Sequence, residues 1–180
     1  MKDIGMSTKN KQYGYLLEKK ENEGFESLGL MSNGCWDNDP RRFAFYLSRY
    51  KFVSKILEGK EKVLEVGCGD AWASRIVCQS VSDLTVSDFD DVFIQDAKTR
   101  FSEKWPFNYK IYDFTEHSYS EKYDGIYLLD VFEHIDPNKE NIFIENIKKS
   151  MTKESVLIMG MPSLESQDLI PEEKRDVGHV

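Results

Sequence analysis

The sequence predicts an α/β fold, a three-layer sandwich with helices on both faces of a mostly parallel sheet. Three observations lead there. Short apolar runs alternate with segments of helical period. The run Lys62-Val63-Leu64-Glu65-Val66 enters a glycine turn, Gly67-Cys68-Gly69-Asp70-Ala71, and then a helical stretch. Asp88 closes the next apolar run, at the interval of about 20 residues kept by ribose-binding acids. Together they describe a Rossmann-like sheet holding a nucleoside at its carboxyl edge.

The elements follow in order. Residues 1–38 are polar with interspersed aromatics, and Gly5, Gly14, Gly24, Gly29 and Gly34 argue against a long helix. They are expected to form an N-terminal arm or a partial lid. Asp39-Pro40 starts a helix, Asp39 as its cap and Pro40 at its first position. Phe43, Tyr46, Leu47, Tyr50, Val53 and Leu57 form its apolar face, and Gly59 stops it. The first strand is Lys62–Val66. Asp70 is expected to cap a short helix carrying Trp72, Ile76 and Val77. A second strand covers Leu84–Ser87, and a helix through Val92, Phe93, Ala97 and Phe101 follows, with Asp90 and Asp91 in its first turn. Strands are predicted at Tyr109–Tyr112, Tyr123–Leu129 and Val156–Gly160. A helix marked by Ile142, Phe143, Ile147 and Met151 joins the last two. The core is thus 39–163. The polar segment 164–180 is expected to lead into further sequence, leaving the sheet incomplete after strand five.

Composition narrows the function. The formal charge is -8, from 24 basic and 32 acidic residues, which gives no strong signal for nucleic acid. The cluster Arg41, Arg42, Arg49 and Lys51 reads as a solvated helix face. Cys35, Cys68 and Cys78 lack metal-ligand spacing, and His117, His134 and His179 are scattered, so no metal is expected. No run reaches membrane-span length, and the first residues lack a signal-peptide core. A cytoplasmic protein with a small-molecule substrate is expected. Nothing in the sequence fixes its oligomeric state.

The glycine turn discriminates between cofactors. A dinucleotide fingerprint needs Gly-x-Gly-x-x-Gly, and Trp72 stands at the third glycine. Gly67-x-Gly69-x-Ala71 describes the spacing better. Here the chain resembles the class I S-adenosylmethionine-dependent methyltransferases, whose first motif is Glu/Asp-x-Gly-x-Gly-x-Gly. Ala71 departs from the usual final glycine. The resemblance extends over roughly 43–163 and includes Tyr123-Asp124 and the closing Glu133-His134.

The resemblance implies S-adenosylmethionine as cofactor and S-adenosylhomocysteine as product. It places Gly67, Cys68 and Gly69 beside the methionyl part, with Glu65 supporting the loop. It gives Asp88 the two ribose hydroxyls and sets Phe89 beside the adenine. A helix cap at Asp88 and a core position for Phe89 are the plainer alternatives. Asp113 is similar to the acid that receives the adenine amino group, with Phe114 packed beside the base; a surface turn is its alternative. Asp130 would lie near the methionyl group or the substrate.

His134 would face the acceptor and take its proton as a neutral imidazole, or simply bond a loop carbonyl. Trp36, Tyr46, Arg49 and Met161-Pro162-Ser163 are candidate pocket walls. The expected activity is methyl transfer to a small polar metabolite or a sugar-containing intermediate. A noncatalytic binding or assembly protein retaining the fold is the alternative, and a nicotinamide oxidoreductase a weaker one.

Overall fold

The computed structural model describes residues 8–163. The chain forms α1 (Gly14–Glu23), α2 (Leu30–Asn38), α3 (Pro40–Ile56), β1 (Lys62–Val66), α4 (Ser74–Cys78), β2 (Asp83–Asp88), α5 (Asp91–Lys98), β3 (Asn108–Ile111), β4 (Tyr123–Leu129), α6 (Glu140–Lys149) and β5 (Met151–Gly160). The strands lie in the order β3-β2-β1-β4-β5. Every pairing is parallel, so all the carboxyl ends share one edge. The order reverses direction between β1 and β4, and this switch point is where open α/β sheets place their ligands.

Strand alternation divides the core in two. Val63, Leu84, Val86 and Tyr127 face Tyr50 and Val53 of α3 and Leu57 just past its end, with Val77 and Ile94 beside them. On the opposite face Leu64, Val66, Ile126 and Leu128 pack with Phe114, Tyr119, Phe143 and Ile147. Glu65 shares the Val63 face and lies beneath α3 and α4, buried at 1% exposure.

Several local expectations change. Asp39 does cap α3, accepting from the Arg41 N–H. Asp70 does not cap α4: its Oδ1 accepts the Trp72 N–H at 3.1 Å within the turn, and α4 starts at Ser74 without a side-chain cap. Met151 belongs to β5, which starts five residues before the predicted Val156; Ser150 ends α6. Its hydroxyl donates to Asn146 and receives the Tyr119 N–H, closing the junction. Helices also form at α1 and α2 despite the glycines: Gly14 and Gly29 lie at or just before helix starts and Gly24 just after an end, while Gly34 is taken up inside α2, which Asp70 and Asp96 pin near its start. Segment 164–180 lies outside the described residues.

Candidate active site

The site is built on the loops after β1, β2, β3 and β4. The turn after β1 folds back on the next strand, with the Gly67 and Cys68 N–H groups both donating to the Ser87 carbonyl. Gly67, Gly69 and Ala71 have φ of 71°, 52° and 51°. Only glycine enters this region without strain, so Ala71 holds a left-handed conformation against its own Cβ. Neighbours also occupy the space beside both glycines. A Cβ on Gly67 would lie 2.3 Å from Val131 Cγ2, and one on Gly69 would lie 2.5 Å from Met31 Sδ.

Asp88 locks this turn. Its Oδ2 accepts the Gly69 N–H at 2.9 Å, and its Oδ1 accepts the Asp90 N–H at 3.0 Å. Burial pushes its carboxyl up, partly opposed by the N–H groups of Asp90, Gly69 and Phe89. Phe89 beside it is 72% exposed. The Tyr112 N–H donates to the Asp88 carbonyl, which brings Asp113 to the same edge. Asp113 Oδ1 accepts the Thr115 N–H at 2.7 Å, and among the described residues Oδ2 accepts nothing.

Phe114 does not join this group. It is 2% exposed and packs among Tyr112, Tyr119 and Phe143 in the core. The Cys68 side chain is also buried, and burial holds its thiol well above the ordinary range. Only its backbone belongs to the turn's surface.

Glu65 supports the turn from below. Tyr50 donates to Oε1 at 2.8 Å, while Ser74 and Tyr127 donate to Oε2 at 2.5 and 2.7 Å. Burial raises its carboxyl to about 7 despite these three bonds.

A cavity of about 540 Å³ opens beside the turn between α2 and α3. Met31, Phe45, Tyr46, Arg49, Asp130 and Pro162 are among its walls. Trp36 is not; its ring packs edge-on against Phe43. Asp130, at φ 55°, is paired with Arg49, whose two guanidinium nitrogens donate to its two oxygens, and its side chain keeps 35% exposure at the cavity wall. His134 sits exposed on a single 3-10 turn, Phe132–His134, and does not line the cavity. That placement separates it from the surface expected to hold the acceptor.

The roof is α2, which the sequence reading treated as part of an arm. Asp70, instead of capping α4, accepts the Ser32 N–H at 2.7 Å and the Ser32 hydroxyl at 3.0 Å. The Leu30 N–H donates to Asp96 of α5, itself paired with Arg100. Ser32 and Asp70 are both buried at 2% exposure. An acidic residue in a glycine turn leading into an uncapped helix was the one available sequence signal. Likewise, a glutamate inside an apolar strand demands buried donors; Tyr50, expected on the apolar face of α3, supplies one, and Tyr46 one turn before it is both on that face and, as expected, a cavity wall.

Residues 64–157, just over half of the 180, match the family described as "Methyltransferase domain". No curated protein matches the chain. Among solved structures, the N-methyltransferase NodS from Bradyrhizobium japonicum, in complex with S-adenosylhomocysteine, is similar with a TM-score of 0.60 at 21% identity. That match spans 69% of this chain and 63% of NodS, so the present chain covers less than two thirds of it. An S-adenosylmethionine-dependent methyltransferase from Clostridium acetobutylicum has a TM-score of 0.66 at 16% identity, over 76% of this chain and 58% of its own. At these identities the structures establish likeness of fold. With strand order, glycine turn and family match in agreement, the chain belongs to the methyltransferase-domain family.

Proposed function

We propose that this chain binds S-adenosylmethionine and transfers its methyl group to a small polar acceptor, a metabolite or a sugar-containing intermediate. One observation carries the reading: Asp88, Asp113 and the glycine turn meet at one sheet edge, beside a cavity of about 540 Å³. That volume suits a small molecule. NodS, of similar fold, was solved with S-adenosylhomocysteine, which supports the same donor here.

The residues fit this cofactor. A carboxylate accepts only, and each oxygen takes more than one hydrogen bond. Asp88 therefore keeps acceptor capacity for two ribose hydroxyls while holding the turn. Asp113 has an oxygen left for an amino group, and the exposed Phe89 ring offers a face to an aromatic base. When bound, S-adenosylmethionine supplies a methyl group activated on a positive sulfonium. The chain's own part is placement. Met31 touches Gly69 and also lines the cavity, so it stands between donor turn and acceptor space. Arg49 and Asp130 fix the wall opposite α2, and the α2 roof limits water.

Calorimetry with S-adenosylhomocysteine tests the cofactor, and transfer from labelled S-adenosylmethionine to a panel of small amines, phenols and sugars tests the reaction. Micromolar binding with transfer abolished in Asp88→Ala is the expected result. No binding by folded protein sinks the proposal, whereas binding without transfer to any panel member favours a noncatalytic binding protein.

A further inference from the structure

Glu65 is more than a buried support for the turn. Its Oε1 receives the Tyr50 hydroxyl at 2.8 Å, and Tyr50 in turn receives the Tyr46 hydroxyl at 3.1 Å. Tyr46 lines the cavity beneath α2. A continuous chain of hydroxyls therefore links the cavity to a carboxyl beneath the sheet edge. We propose that Tyr46, Tyr50 and Glu65 form a proton-exit relay for the acceptor, a proposal that rests on the methyltransferase reading above.

The direction of the bonds carries the inference. An ionised carboxylate cannot donate, so Tyr50 must donate to Glu65, and Tyr46 must then donate to Tyr50. The Tyr46 oxygen keeps acceptor capacity, on a residue that lines the cavity, which is the correct sense for a group that receives an N–H or O–H proton. As the acceptor's proton moves to Tyr46, the Tyr46 proton passes to Tyr50 and the Tyr50 proton to Glu65 Oε1. The acceptor atom keeps the electron pair of its broken bond to hydrogen, and that pair becomes available for methylation. After product leaves, the same path in reverse returns the proton to solvent in the cavity.

The surroundings favour this use. Glu65 is faced by Tyr50 from α3, Ser74 from α4 and Tyr127 from β4, with Asp70 and Cys68 in the turn nearby. None of its bonded partners is a cation, and burial holds its carboxyl near 7, where a general base operates best. Burial and the nearby Glu65 hold both phenols well above their ordinary range, so the protons move along the chain in concert and neither ring is left as a phenolate. Ser74 and Tyr127 already anchor Glu65 Oε2 to α4 and β4, so the Tyr46 hydroxyl is not needed to hold the carboxyl.

Tyr46→Phe is the decisive variant, because it keeps the ring and removes only the hydroxyl. Carbon-13 glutamate labelling and infrared titration of the cofactor-free protein read the Glu65 carboxyl directly. A midpoint near 7 is expected in the wild type. Loss of that band in Glu65→Gln assigns it. In Tyr46→Phe the midpoint moves up on the order of 0.3 pH units, because Tyr50, no longer polarised, donates less strongly. Transfer from labelled S-adenosylmethionine to the best amine or phenol of the panel slows about a hundredfold. Binding of S-adenosylhomocysteine stays as in the wild type. An unmoved midpoint overturns the relay even if Glu65→Gln fails to fold, and so does an undiminished transfer rate. Absence of S-adenosylhomocysteine binding by wild type would instead remove the methyltransferase reading.

Discussion

Asp88 carries two duties, and its replacement separates them. Its carboxylate holds the Gly69 N–H at 2.9 Å and the Asp90 N–H at 3.0 Å, and in the proposed complex it also receives two ribose hydroxyls. Hydrogen bonds to a charged group contribute about 1.5–3 kcal/mol each, so losing both ribose bonds in Asp88→Ala costs roughly 3–6 kcal/mol of binding. That corresponds to about 10²- to 10⁴-fold weaker S-adenosylhomocysteine.

The same change orphans the Gly69 N–H in a residue environment that is only 6% exposed at Asp88. This second loss costs about 1–3 kcal/mol of folding stability, and each kcal/mol lowers Tm by about 2–4 °C in a chain of this size. Asp88→Asn keeps one acceptor oxygen, which cannot serve the turn and both ribose hydroxyls fully. It should lose about half of the binding energy. Titration calorimetry with S-adenosylhomocysteine and scanning calorimetry of the cofactor-free protein measure the two losses separately. A Kd in Asp88→Ala within about threefold of wild type, with the protein folded, would refute the ribose role. Stability lost without affinity would reduce Asp88 to a turn anchor.

Three further outcomes follow from the packing. Glu65 binds its proton more tightly folded than unfolded, so its contribution to stability is full below about 4.5 and fades as pH rises through about 7; urea unfolding should show on the order of 3 kcal/mol of this dependence missing from Glu65→Gln. Asp70→Ala removes both Ser32 bonds, and hydrogen exchange should show the amides of α2 losing protection while those of β1 keep theirs. Ala71→Gly relieves the left-handed strain but loses a buried methyl group, so denaturant unfolding should find it within about 1 kcal/mol of wild type, whereas the β-branched Ala71→Val should cost about 2 kcal/mol or more.

The parts that were legible share a local cause. Strand β1 and strand β4 have the predicted bounds, because each is an apolar run closed by a residue that turns the chain. α3 begins at Pro40 behind its Asp39 cap and buries Phe43, Tyr50 and Val53, as its spacing dictates. The parts that were not legible depend on distant partners. Asp70 had the composition of a cap, yet Ser32, 38 positions earlier, takes its carboxylate. Asp130 had the composition of an unpaired acid, and Arg49 from α3 pairs with it. Phe114 follows a strand end as a base-stacking residue would, but the connection to β4 turns it into the core against α6. Periodicity reports which face of an element is apolar. It does not report which neighbour a short polar side chain will meet.

The glycine turn is best understood through those neighbours. Val131 from the β4 loop and Met31 from α2 occupy the places of the Cβ atoms that Gly67 and Gly69 lack; the branched Val131 demands glycine at Gly67, while at Gly69 the left-handed backbone does. Asp88 ties the Gly69 N–H from the β2 side, and Asp70 ties α2 from the turn itself. The turn is therefore the point where donor edge, switch-point loop and roof are joined, not simply a loop kept open for a ligand. It is one link from the roof to this edge; another runs from the Leu30 N–H to Asp96 of α5. A change at Phe45, which lines the cavity and lies under the Arg49 guanidinium, acts on the cavity wall and the Arg49–Asp130 pair without reaching the turn. A change at Met31 alters the roof and the turn at once, so on the proposed function it should shift the handling of donor and acceptor together. Because a thioether side chain has three rotatable bonds and adapts to irregular space, this junction joins the two halves without making them rigid.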